Sequence, residues 1–137
     1  MFQRARRRGA TVVEFAVVVP IFFLLLFAGI EFATLGTIRS TAHNAAYEGA
    51  RKLVIPGALA SEGIDEAKRV LGVVGVDVLT VTTTPSVITD DTQQVTLTVS
   101  IPYDSNAVFV PYFTGGLTIQ SSVTLKTERY GGIATTP

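Results

Sequence analysis

From Phe15 to Ile30 the chain runs sixteen residues without a charge, FAVVVPIFFLLLFAGI, and resumes after Glu31 with FATLGTI up to Arg39. A helix needs about 20 apolar residues to cross roughly 30 Å of hydrocarbon. Sixteen falls short, but Ala10 to Ile38 spans twenty-nine residues with charges only at Glu14 and Glu31. The pattern predicts a membrane helix over residues 10–38 with a carboxylate near each boundary. Past Arg39 the helical period continues to about Val54, where Ala42, Ala45, Ala46, Gly49, Ala50 and Leu53 form a small-residue stripe at spacings of three and four. Arg39, Asn44, Glu48, Arg51 and Lys52 fall largely on other faces, so the helix leaves the membrane and becomes amphipathic. Its stripe suits close packing on a sheet. Pro56-Gly57 ends it.

A second, short helix is predicted over Ser61–Gly72, started by Ser61, acidic early and basic late, and stopped by Gly72. Ile64, Ala67, Val70 and Leu71 make its apolar face. The rest is strand-like: Val76–Thr84, Gln94–Tyr103 and Leu117–Glu128 are rich in Val, Thr, Ile and Leu, and Val95, Leu97, Val99 and Ile101 alternate strictly. Pro85, Asp90-Asp91 and Gly115-Gly116 punctuate them. Three strands with one apolar face need a cover, and the stripe of the long helix provides it. The expected fold is α+β, a long N-terminal membrane-spanning helix packed on a small antiparallel sheet of about three strands, with a short second helix. Residues 102–116, PYDSNAVFVPYFTGG, form a long connection whose Tyr103, Phe109, Tyr112 and Phe113 are read first as the loop's own anchor into the core, and second as a contact patch.

Charge sharpens this picture. The chain of 137 residues is neutral, with 11 Lys+Arg and 11 Asp+Glu, yet Arg4, Arg6, Arg7 and Arg8 all lie before the apolar run. From Ala10 onward seven basic residues face 11 acidic ones, a net charge of −4. That balance argues against a nucleic-acid partner, whose binding rests on clustered Lys and Arg. By the positive-inside rule the arginines set the N-terminus in the cytoplasm and the remainder outside. A cleaved secretory signal would need an A-x-A site near the apolar run. The nearest, Ala58-Leu59-Ala60, lies nearly thirty residues beyond it, so the apolar segment is expected to stay on the protein.

The chain holds no Cys and one His, which excludes disulfides, thiolate metal sites and multi-histidine centres. His43 shares a helical face with Ser40 and Tyr47, but the helix is built for packing, and an ordinary helix histidine is expected. Asp90-Asp91 reads as a turn, and Gly115-Gly116 and Gly131-Gly132 lack the strand–loop–helix context of a nucleotide site. No enzymatic activity and no cofactor is expected.

Glu14 is the informative position, because a carboxylate at the start of a membrane helix points to a function with a partner. Arg7-Arg8-Gly9, then Ala10-Thr11-Val12-Val13-Glu14-Phe15 and an unbroken apolar helix, resemble the processing site of type IV pilin-like proteins. The fuller match, RRGATVVEFAVVVPIFFLLLFAGIEFA over Arg7–Ala33 with AAYEGAR at residues 45–51, resembles the TadE-like pseudopilins of the tight-adherence (Flp) pilus system. The resemblance implies that a membrane prepilin peptidase cuts after Gly9, with Glu14 fifth after the cut, and that Ala10 becomes the new N-terminus. Ala10 stands where an aromatic Phe is usual.

It also implies a basic cytoplasmic leader at residues 1–9, a transmembrane helix at 10–38 and an extracytoplasmic α+β domain at 39–137. The protein would sit in the cytoplasmic (inner) membrane as a single-pass minor pilin or pseudopilin for pilus assembly. Its partners would be the membrane, the peptidase, other pilins through the N-terminal helix, and the assembly machinery. Major pilins of that system are much shorter and almost all helix, so the domain after Arg39 favours the pseudopilin. The alternative is an unprocessed, signal-anchored envelope protein with a binding or adhesion domain, in which Gly9 is a linker and Glu14 sits at headgroup level. Pro20 reads either as a flexible point for filament packing or as a plain kink, and Glu31 as a marker of the outer interface or a contact for a partner helix. Gly29 with Ala33, and Gly36 with Ser40, are small-xxx-small pairs that permit close helix approach.

Overall fold

The computed structural model describes residues 3–107 and 109–127, with side chains described from Gly9. One helix, α1 (Gln3–Val54), takes 52 residues and so extends for roughly 80 Å. It runs through Pro20 without interruption. Most of its side chains before Glu31 are exposed, among them Val12, Phe15, Phe22 and Leu25. An apolar segment with so many exposed side chains needs another apolar medium, and α1 is long and apolar enough to cross a membrane. Ile38 is its first fully buried side chain among the described residues.

From there the stripe read in the sequence closes on the domain: Ala42, Ala45, Ala46, Gly49, Ala50 and Leu53 are all buried. Helix α2 (Ala60–Gly72) packs beside it through Gly63, Ala67 and Leu71, with Ile64 and Val70 half-buried. The two helices meet at glycines. A Cβ on Gly49 would lie 2.6 Å from the Gly63 carbonyl oxygen, and one on Gly63 2.7 Å from the Gly49 carbonyl oxygen. The turn between the helices carries Gly57 at φ +82°, a conformation glycine adopts at little cost. Helix α2 begins at Ala60, a residue before the expected Ser61, and it is the Glu62 carboxylate that reaches back to the Leu59 N–H at 3.3 Å.

Three antiparallel strands, β1 (Thr80–Thr84), β2 (Gln94–Pro102) and β3 (Thr118–Lys126), form a meander in the order β1-β2-β3. The alternation in β2 is observed in full: Val95, Leu97, Val99 and Ile101 face inward and are completely buried. On the outer face Thr96 pairs with Thr124 at 2.8 Å and Thr98 with Ser122 at 3.0 Å across the strands.

Strand β1 is shorter than the expected Val76–Thr84, for a local reason. Thr80 pairs with Ser100, so Val78 would face Pro102, which has no N–H to offer the ladder. The Asn106 side chain takes that place. Its Oδ1 accepts the Asp77 and Val78 N–H groups, each at 3.0 Å, and its Nδ2 donates to the Val78 and Pro102 carbonyls at 2.8 and 2.9 Å. Strand β2 ends at Pro102 rather than Tyr103, and β3 covers Thr118–Lys126 of the expected 117–128, of which Glu128 lies outside the described residues.

Candidate functional site

The segment expected to be processed lies at the start of α1, away from the folded domain. Gly9 is helical and exposed, and no atom stands within 4 Å of where its Cβ would be. Ala10, Glu14 and Phe15 are exposed as well. Glu14 follows Ala10 by four residues, one helical turn, which sets the two on the same side of the helix. No ion pair to Glu14 forms among the described residues. The backbone of Arg7 and Arg8 is helical, and their side chains lie outside the described ones. Along a continuous helix Gly9 stands roughly 33 Å from Glu31, so among the described residues the domain contributes nothing to the Gly9–Glu14 surroundings. The Gly29 and Gly36 positions are likewise open, each with no atom within 4 Å.

The second carboxylate of the helix has a different setting. Glu31 is gripped by the loop between β2 and β3: its Oε2 accepts the Tyr112 N–H at 3.2 Å, and its Oε1 accepts those of Phe113 at 3.0 Å and Thr114 at 2.6 Å. The Thr114 hydroxyl donates to Oε1 as well. Successive backbone N–H groups converging on one anion form a nest, here occupied by a side chain of the same protein. Tyr103 adds a further tie, its hydroxyl donating to the Glu31 main-chain carbonyl at 3.0 Å from a ring that is 1% exposed. At the loop's base the Asp104 carboxylate accepts the Gly116 N–H at 2.9 Å, with Gly116 at φ +78°.

The sequence offers Glu31 as an interface marker or as a contact for another helix. The structure gives it partners in its own chain, eighty-odd residues away. It also corrects the reading of the loop aromatics. Tyr103 alone is a core anchor; Phe109, Tyr112 and Phe113 are exposed. Their reason is the nest, which holds the loop against the apolar part of α1 rather than over the domain core. Phe109 packs edge-on to Phe27 at 6.3 Å and Phe113 stacks on Phe32 at 6.5 Å. Between loop and helix lies an apolar recess of about 360 Å³, floored by Phe27 and Ile30 and walled by Phe109 and Phe113.

The other polar candidates sit apart from this site. His43 Nδ1 lies 3.5 Å from Ser121 Oγ on β3. Asp90 and Asp91 occupy the turn between β1 and β2, where the Thr92 N–H donates to the Thr89 carbonyl at 3.0 Å. Gly131-Gly132 lies outside the described residues. On α2, Glu66 bonds the Arg69 guanidinium and pairs with Lys52 at 3.6 Å. The Arg69 hydrogen bond, with the charges of Arg69 and Lys52, holds the Glu66 carboxyl below its ordinary value, and Glu66 in turn raises Arg69.

Residues 9–51 match the family model described as TadE-like protein. No curated protein and no solved structure matches the chain. The matched residues take in Gly9, Glu14, Glu31 and most of the packing stripe, and leave out α2 and the sheet. Through this long N-terminal helix the chain is similar to the TadE-like family.

Proposed function

We propose that this chain is a pseudopilin or minor pilin of a tight-adherence pilus machine, inserted with its N-terminus in the cytoplasm and its domain outside, and cut after Gly9 by a prepilin peptidase. The observation that carries the reading is the exposed Gly9–Glu14 segment opening an apolar helix whose side chains before Glu31 are mostly exposed. In this reading the protein is the substrate of an enzyme and not itself a catalyst.

Cleavage creates an α-amino group on Ala10, whose ordinary pKa is about 7.7 to 8.0. Among packed apolar helices such a cation needs an opposite charge, since an unpaired buried ion costs several kcal/mol. Glu14, of the same or a neighbouring subunit, supplies it. Cleavage also removes Arg4, Arg6, Arg7 and Arg8, the charges that hold the N-terminus at the cytoplasmic face. Extraction from the bilayer then becomes feasible, and the exposed face of α1 can pack against other pilin helices.

The test is the N-terminus and intact mass of the protein recovered from membranes of cells with and without the candidate peptidase. A terminus at Ala10 that depends on the peptidase is the expected result. A full-length chain in both strains would overturn the proposal in favour of a permanently anchored binding module.

A further inference from the structure

Residues 105–125 carry no charge, and the loop within them presents its largest apolar side chains outward. Val110 is 95% exposed and Tyr112 85%, with Phe109 and Phe113 about half exposed. In water such a display is unfavourable. The loop is also not free to turn these groups inward, because the Glu31 carboxylate fixes it on the helix.

Its position along α1 says what covers it. The twenty residues Val12–Glu31 rise roughly 30 Å, the thickness of a bilayer's hydrocarbon layer. With Val12 at the inner boundary, Glu31 and the loop it holds come to lie at the outer one. Irregular backbone is tolerated at that depth only where its polar groups are satisfied. Three of the loop's are: the Tyr112, Phe113 and Thr114 N–H groups all end on Glu31. The same bonds solve the converse problem, since a carboxylate near the hydrocarbon is costly without donors. The phenol of Tyr112 and the rings of Phe109 and Phe113 have the amphipathic and aromatic character that favours the headgroup boundary.

We infer that the Phe109–Phe113 loop, latched to Glu31, is a membrane-interface element that seats in the outer headgroup–acyl boundary beside its own helix. It gives the domain a second point of attachment to the bilayer and so fixes its tilt over the membrane. The inference rests on the reading of α1 as a single membrane span.

The chain has no tryptophan, so single substitutions give clean fluorescent reporters. Tyr112→Trp reports the loop, Phe22→Trp the middle of the span, and Val87→Trp the turn at the opposite end of the sheet. Full-length protein is reconstituted in phosphatidylcholine vesicles with and without lipid brominated at a shallow acyl position, and each sample is also titrated with aqueous iodide. The expected result is loss of Tyr112→Trp emission in brominated vesicles together with protection from iodide. Phe22→Trp should also be lipid-quenched, and Val87→Trp open to iodide alone. If Phe22→Trp is quenched by lipid while Tyr112→Trp is open to iodide, the loop faces water and the inference is overturned with the span intact. Protection of Tyr112→Trp from both quenchers means that protein, such as a second copy, covers the loop, which overturns it equally. If Phe22→Trp itself escapes the bromine, the span reading fails and the inference falls with it.

Discussion

Thr114 donates its amide to the Glu31 carboxylate at 2.6 Å across 83 residues of sequence, joining the loop after β2 to the helix that leaves the domain. This contact decides where the loop's aromatics stand. Replacing Glu31 by Ala removes the acceptor shared by three consecutive amides. Hydrogen exchange at Tyr112, Phe113 and Thr114 should accelerate markedly, while the β2 amides keep their protection. Equal protection in the variant would show that the loop is held by ring contacts alone.

The close approach of Gly49 and Gly63 makes a stability prediction. A methyl at Gly49 would lie 2.6 Å from backbone and 2.7 Å from Leu97 Cδ1, so Gly49→Ala forces α1 and α2 apart at a cost of about 1–3 kcal/mol. Gly36, with open space around it, is the control: Gly36→Ala should be neutral or stabilising by about 0.5–1 kcal/mol. Thermal unfolding of the two detergent-solubilised variants beside the parent gives the comparison.

Asn106 serves four backbone groups with one side chain. Asn106→Ala leaves the Asp77 and Val78 amides without their acceptor and should lower stability by about 1–3 kcal/mol. Asn106→Asp keeps the acceptor and loses the two donated bonds, so it should fall between. The same unfolding measurement ranks the three proteins, and an alanine variant as stable as the parent would refute the substitution of side chain for strand.

Glu66 carries a pH dependence. Its folded-state pKa is lowered, chiefly by its hydrogen bond to Arg69, so its contribution is fully present above the ordinary value of 4.5 and is lost as pH falls below that through the lowered one. Glu66→Gln should therefore flatten the acid side of the stability profile in that window and leave its slope near neutrality unchanged. A profile of unfolding midpoint against pH for both proteins reads this directly.

Two substitutions separate processing from assembly. Gly9→Leu should leave the precursor in the membrane at full length, because the proposed cut follows Gly9; normal shortening, seen by mass, would remove the site. Glu14→Val should insert normally and impair pilus formation, and unaltered pili would remove the charge pairing with Ala10.

Much of the architecture is legible in the sequence because it rests on period and composition. The uncharged run from Phe15 specifies a helix that must find apolar surroundings, the small-residue stripe from Ala42 to Leu53 specifies which face meets the sheet, and the strict alternation of β2 specifies its buried side. Residues 9–51, which match the TadE-like family model, take in the first of these features and most of the second. Pattern acts through neighbours a few positions apart, so such features can be read without coordinates.

What the tertiary structure alone decided depends on atoms distant in the chain. The truncation of β1 follows from which residue faces Pro102, and the Gly49–Gly63 contact from how two helices cross. The role of Glu31 depends on where a loop some eighty residues later returns to the helix. A carboxylate carries no mark of the donors it will meet. Beside the Thr114 hydroxyl its partners are backbone amides, which every residue but proline possesses, and only the fold brings three of them to one point.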